Sequence, residues 1–263
     1  CFQSKSLDEL AGTKGRFGAV GAPDNPANRE LNKSEAHCDN SKLLECRAYI
    51  HTKIDLAVAA ARPLLRNGRI DDSQIPTRIS CTYLRQRGRA KCNVLELLGS
   101  ALHAAQDFYA HSNWADEAAP GPITKANPRG LNRPGNAPIL NIRLLAPTTV
   151  PEGLISGCFI PESPLDTRGD AKCTVPSHAD LNKDTGTIDP ERFGQLGDPT
   201  LTTARTARGR VGTNFHKAVA GAVLDTRDKI RILRERLIAT YGAEKGSLMF
   251  CALTHDNPKA TCR

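Results

Sequence analysis

ALHAAQDFYAHSNWAD, residues 101–116, decides how this chain reads. His103, Asp107 and His111 recur at every fourth position, and at roughly 100° per residue of an α-helix the three side chains fall within about 80° of one another. Two imidazoles and a carboxylate on one helical face are the donor set of a first-row metal ion, and zinc is the commonest occupant of mixed nitrogen and oxygen ligation. The plainer alternative is a polar face on which Asp107 satisfies both histidines. Leu95, Leu98, Leu102 and Tyr109 lie on the neighbouring face, so a helix over 94–114 is expected to pack on a core and turn its histidines into a cleft.

Two further helices follow from the same periodicity. Residues 43–66 repeat Leu43, Ile50, Ile54, Ala57, Val58, Ala61 and Leu64 at helical spacing, with Pro63 bending the end and Asn67-Gly68 closing it. Residues 215–241 place Phe215, Ala218, Val219, Ala222, Val223, Leu233 and Leu237 on one side and the charges of RDKIRILRER (227–236) on the other, and Gly242 terminates the run. A short apolar piece follows at 248–253. Between 115 and 212 the character changes, because twelve of the 17 prolines lie there, and helix of any length is not expected. The expected fold is mainly α: about three long helices, with an extended, partly β or coil excursion that forms one wall of the site. It is read as one domain over 1–263, with a helical core at 41–116 and 214–253 and the irregular excursion at 117–213. No internal repeat is present.

Nine cysteines in 263 residues point away from a reducing compartment. None forms a Cys-x-x-Cys pair, which weakens thiolate metal ligation as their explanation. Sequence does not dictate connectivity, but proximity favours four local staples: Cys38–Cys46, Cys81–Cys92, Cys158–Cys173 and Cys251–Cys262. Cys1 is left over. No run approaches the length of a transmembrane helix and no signal-peptide core opens the chain, so it reads as the mature or trimmed form of a secreted protein.

With 36 basic against 28 acidic residues the formal charge is +8, which favours anionic partners or simply keeps the chain in solution. Basic residues concentrate at 78–91, including Arg85, Arg87 and Arg89, and at 227–236. Neither stretch interleaves aromatics, and aromatics make up only 5% of the chain, so a dedicated nucleic-acid binder is disfavoured.

A four-coordinate zinc needs three or four protein ligands, and the central helix supplies two or three. Loop residues must add the rest. His37, flanked by Glu35 and Asp39 and tethered by Cys38, is one source, and His178 with Asp180 is another. His216 opens the last helix. His51 and Asp55 repeat the four-residue spacing but read as a hydrogen-bonded pair, and His255 reads as structural. Asp180, Asn182, Asp184 and Glu191 stand at positions 1, 3, 5 and 12 of a calcium-loop template. Thr185 occupies the required glycine position and Pro190 lies inside the span, so the loop departs from an EF-hand; its carboxylates are otherwise ligands of the zinc cleft or parts of a polar turn.

LHAAQDFYAHSNW, at 102–114, resembles the signature of the fungal heterokaryon-incompatibility C (HET-C) proteins and their bacterial relatives. These are similar to the zinc-dependent phospholipase C and single-strand nuclease superfamily. The match is specific over roughly 93–116, and LNKSEAHCDN (31–40), HADLNKDTG (178–186) and NFHKAVAGAVLDT (214–226) resemble other family segments less diagnostically. The resemblance implies that His103 and Asp107 are metal ligands and that His111 lies near a further one. The chain departs from the enzymes in two places: it begins Cys1-Phe2 where they carry a ligating Trp, its only Trp being Trp114, and His216 is followed four residues on by Ala220 where they carry Glu. Taken together, these features lead us to expect a secreted, zinc-dependent phosphodiester hydrolase acting on phospholipid or nucleic acid, with Glu35 or Asp180 orienting the attacking water. The alternative is a non-enzymatic HET-C-like protein that acts on membranes, in cell death or in antagonism. A third reading is a binding module with a closed, four-ligand metal.

Overall fold

The computed structural model describes residues 2–28, 30–76, 81–84, 87–144, 149–161, 169–189 and 198–262. Among these are seven α-helices: α1 (Ser4–Ala11), α2 (Leu43–Ala60), α3 (Ala90–His111), α4 (His178–Leu181), α5 (Asn214–Tyr241), α6 (Ala243–Thr254) and α7 (Pro258–Thr261). Sheet is confined to three two-stranded antiparallel ribbons: β1 (Gly12–Thr13) with β2 (Arg16–Phe17), β3 (Leu65–Arg66) with β4 (Arg69–Ile70), and β5 (Gly186–Ile188) with β6 (Thr202–Ala204). The fold is therefore mainly helical, as the periodicity predicts.

Helix ends differ from the sequence reading for local reasons. The second helix stops at Ala60, short of Arg66. Pro63, lacking an N–H, sits in a 3₁₀ turn at Arg62–Leu64, and the chain then reverses in the β3–β4 hairpin. Asn67 and Gly68 make that reversal with φ of 52° and 75°, the left-handed pair that a two-residue hairpin requires. α3 begins before residue 94 and ends at His111, after which Ser112 bridges to Ser156 and Trp114 lies outside the helix. Gly242, at φ 87°, separates α5 from α6, and α6 extends the expected apolar piece to 12 residues. The proline-rich stretch is largely irregular, with the β5–β6 ribbon as its regular pairing.

The chain divides into two compact units built from discontinuous segments. The first comprises Cys1–Leu31, Tyr49–His103 and Asp228–Arg263. Its core includes Ile50, Ile54, Leu64, Leu95, Leu98, Leu102, Leu233 and Leu237, all buried. Here the two ends of the chain meet: Ser6 N donates to Asp256 Oδ1 at 2.8 Å, and Gln3 N donates to Thr254 O at 2.8 Å.

The second unit comprises Asn32–Ala48 and Ala104–Arg227, with Phe108, Tyr109, Ile139, Leu140 and Leu181 buried. Tyr109 anchors it twice, since its hydroxyl donates to Asp225 Oδ2 at 3.2 Å and accepts from Ala137 N at 2.8 Å. A buried charge cluster lies in the same unit. Asp116 accepts from Lys183 Nζ at 3.1 Å and from Arg208 Nε at 2.8 Å, and Lys183 also donates to the carbonyls of Ser112 and Leu181. Burial lowers the Lys183 pKa, opposed by Asp116.

All four expected disulfides are present, with Cα–Cα separations of 5.0, 5.3, 5.8 and 5.9 Å in chain order, inside the normal range for the bridge. Cys1, Arg78 and Arg85 lie outside the described residues. Among the described residues, no helix is long and apolar enough to cross a membrane.

Candidate metal centre

The second unit brings imidazole and carboxylate side chains near the C-terminal end of α3. That helix is buried along nearly its whole length, interrupted only at Asn93, Gln106 and Asp107. Asp107 is thus the acidic group that α3 brings towards solvent, and His111 follows one turn on.

His37 comes from a tight loop after the 3₁₀ turn Ser34–Ala36. Cys38, Asn40 and Ser41 all adopt left-handed backbone, with φ of 53°, 59° and 55°. Such conformations cost on the order of 1 kcal/mol or more each and persist where the surroundings over-determine them. Here the Cys38–Cys46 disulfide does so together with Asn40, whose N donates to Gly157 O at 2.8 Å and whose Oδ1 accepts from Phe159 N at 2.9 Å. The loop sets His37 Nδ1 3.1 Å from Asp107 Oδ2, a hydrogen bond in which the neutral imidazole donates to the carboxylate.

His178 is the first residue of α4. Ser177 caps that helix, and Asp180 completes the capping box by accepting from Ser177 N at 2.8 Å. Backbone pairing with Cys158, through His178 N to Cys158 O at 2.9 Å, fixes the segment beside the Cys158–Cys173 staple. Gly157 permits the approach, because a Cβ there would sit 2.5 Å from His178 Cα. The His178 ring stacks on His111 with centroids 3.5 Å apart. Asp184 follows Lys183, whose N donates to Ala110 O at 3.0 Å, and Asp184 Oδ2 lies 3.6 Å from His111 Nε2.

Burial, reinforced by His178, holds the His111 pKa well below the ordinary imidazole value, against the opposing pull of Asp107. Burial also lowers His178, opposed by Asp107, Asp170 and Asp184. Both rings are therefore neutral near pH 7 and offer lone pairs. His111 Nδ1 is buried with no hydrogen-bond partner among the described residues, a desolvated acceptor or donor of the kind that an ion satisfies.

A cleft of about 530 Å³ opens beside the cluster. Gln106, Asp107, Lys183 and Asp184 line its polar side, Phe215, Val219, Ala222 and Val223 of α5 supply an apolar wall, and the exposed Arg227 completes the lining.

No family model, curated protein or solved structure matches this chain. The chemistry is therefore read from the placement of the side chains themselves.

Of the expected ligands, His37, Asp107, His111 and His178 come together in the second unit. His103, one turn before Asp107 on the same helix, lies in the first unit with its Nε2 3.5 Å from Asp24 Oδ1, a donor pair that an ion could also use. The helical face that the sequence aligns thus acquires a different partner at each turn. Asp24 carries no sequence signal; it ends the short turn Ala22–Asp24.

Asp180, expected to orient a water, accepts through Oδ2 from Ser177 N and Oγ in the capping box. Asp180 caps α4, Asn182 Oδ1 accepts from Asp184 N at 2.9 Å, and Asp184 faces His111; Glu191 lies outside the described residues. Glu35 sits half-buried on the 3₁₀ turn before His37, and Asp39 is buried in the His37 loop with its N donating to Ser34 O at 2.9 Å. His216 lines a separate cavity with Arg210, Gly212 and Thr213. His51 and Asp55 form the expected pair at 3.1 Å on α2, and Asp55 also accepts from Arg236.

Proposed function

We propose that this protein is a secreted, zinc-dependent phosphodiester hydrolase. The observation that carries the proposal is the gathering of His37, Asp107, His111, His178 and Asp184 beside an open cleft, with His111 Nδ1 buried, uncharged and without a hydrogen-bond partner among the described residues. Mixed imidazole and carboxylate donors suit zinc better than calcium, which prefers oxygen alone. His111 and His178 would hold the ion with Asp107 and Asp184. His37 donates to the Asp107 carboxylate and fixes its orientation, the usual task of a residue behind a ligand.

When bound, zinc supplies a Lewis acid for a phosphoryl oxygen and lowers the pKa of a water. The chain's own residues supply the rest. Arg227 would bind the substrate's negative charge, and the apolar α5 residues of the cleft would exclude water. The likeness of residues 93–116 to the HET-C proteins and their zinc-enzyme relatives supports phosphodiester chemistry, and the charge of +8 suits an anionic substrate. Four local disulfides agree with an oxidising location.

The test is elemental analysis of gently purified protein, followed by assay on phosphatidylcholine vesicles, single-stranded DNA, RNA and a chromogenic phosphodiester. Hydrolysis of at least one substrate, abolished by chelator and by Asp107→Asn without unfolding, is the expected result. A folded, zinc-loaded protein inert towards all four would overturn the enzymatic reading, and vesicle leakage without lipid cleavage would favour the membrane-active one.

A further inference from the structure

A second set of metal donors lies in the first unit, at the C-terminal end of the chain. Cys251, in the last turn of α6, is joined to Cys262, the residue after α7. His255 stands between them in sequence and in space. Its Nδ1 is 2.7 Å from Cys251 Sγ and 3.1 Å from Cys262 Sγ, and the three ligand atoms lie within 4.8 Å of one another. A sulfur atom is a weak hydrogen-bond acceptor, so a disulfide gains little from an imidazole nitrogen aimed at both of its atoms.

The position of His255 does not depend on the S–S bond. Its N donates to Cys251 O at 3.0 Å, its carbonyl accepts from Lys91 Nζ at 2.6 Å, and the next residue, Asp256, is held by Ser6 at 2.8 Å. Opening the disulfide would therefore leave the imidazole in place and convert two weak acceptors into two thiols beside it. Cys251 and His255 are partly exposed, so a reductant and an ion can reach them.

We propose that Cys251, His255 and Cys262 form a redox-gated zinc site, closed as the disulfide and competent as a two-cysteine, one-histidine ligand set when reduced. With a phosphine as reductant the step balances: the phosphine takes the oxygen of one water to become its oxide, and the two sulfurs take the water's hydrogens. Zinc binding then displaces one proton from each thiol. Tetrahedral zinc–sulfur and zinc–nitrogen bonds of about 2.3 and 2.0 Å put the donors about 3.5–3.8 Å apart. The nitrogen and sulfurs reach this by parting less than about 1 Å from each other once the S–S bond opens and the sulfurs separate, and a fourth position stays open. Thiolate ligation selects zinc over magnesium or calcium. The covalent clip across α6 and α7 would thereby be exchanged for a metal clip.

The experiment uses the full chain, limiting phosphine, cobalt(II) as the spectroscopic stand-in for zinc, and helical circular dichroism to follow the fold. Oxidised protein should show no thiolate-to-cobalt charge-transfer absorption. Reduced protein should acquire it at about one ion per chain, reversibly on zinc addition. His255→Ala, which keeps every cysteine, should weaken cobalt binding to the reduced chain at least about tenfold, and the Cys251→Ser, Cys262→Ser double variant should abolish the band. Equal affinity in His255→Ala, a band that survives the double substitution, or a reduced chain that loses its helices and does not regain them with zinc would each overturn the proposal.

Discussion

His111 lies face to face with His178, ring centroids 3.5 Å apart and planes 22° from parallel. Burial lowers both pKa values, so both rings are in the uncharged form near neutrality. The unfolded chain protonates these histidines as pH falls through 6.5, while the folded chain does not until lower pH. Stability of the metal-free protein should therefore be fully present above 6.5 and fall on acidification by up to about 1.4 kcal/mol per pH unit for each ring. Urea denaturation in the presence of chelator at pH 7.5 and 5.0 measures this. His178→Gln should flatten the dependence, and an equally steep profile in that variant would assign the acid sensitivity elsewhere.

Zinc content should separate ligands from capping residues. Asp107→Ala and His111→Ala should each lower zinc affinity by at least about tenfold. Asp180→Ala removes a capping-box carboxylate and should cost about 1 kcal/mol of stability while leaving zinc content unchanged. Elemental analysis alongside thermal melting reads both quantities, and loss of zinc in Asp180→Ala would return that residue to the site.

The helices were legible because their apolar residues repeat at helical spacing, and the staples because each inner cysteine has a near neighbour in sequence. His37 and His178 are legible as candidate loop ligands, but their seating against α3 is not. What seats them is a left-handed turn at Cys38, Asn40 and Ser41 and a glycine contact at Gly157, and neither leaves a periodic trace. Partner choice was not legible at all. His103, Asp107 and His111 share one helical face, yet Asp24, His37 and Asp184 meet them from three segments separated in sequence. Lys183, Arg208 and Asp116 look like ordinary surface charges in the sequence, although all three are buried. His255 reads as structural in the sequence, and its nearness to both sulfurs through Nδ1 is visible only in the folded chain.

The buried cluster predicts an asymmetric mutational response. Asp116→Ala leaves Lys183 and Arg208 buried without their shared counter-charge and should cost about 3–5 kcal/mol. Lys183→Met keeps the Arg208–Asp116 pair, at 2.8 Å, and should cost less. Equilibrium denaturation of the two variants decides it, and equal losses would show that Lys183 carries as much of the cluster as the carboxylate. Since Lys183 N also pairs with Ala110 O, the Asp116 change should loosen Asp184 and weaken zinc binding as a secondary effect.

The cleft beside Asp107 and Asp184 should be where substrate enters, which separates binding of the ion from access to it. Val223 lines the apolar wall and is half-exposed. Val223→Trp should fill part of the cavity without touching a ligand, so zinc content and melting temperature should stay near those of the parent while kcat/KM falls at least about tenfold, a loss of roughly 1.4 kcal/mol in transition-state binding. Arg227→Ala should act differently. Arg227 lines the cleft, so its removal should raise KM for an anionic diester while changing kcat little, the signature of a contact made equally in ground and transition states. Steady-state kinetics on whichever substrate proves active, with zinc measured on the same samples, distinguishes the two. Undiminished turnover in Val223→Trp would mean that the substrate reaches the metal cluster by another face, and the assignment of the cleft would fail while the metal assignment stood.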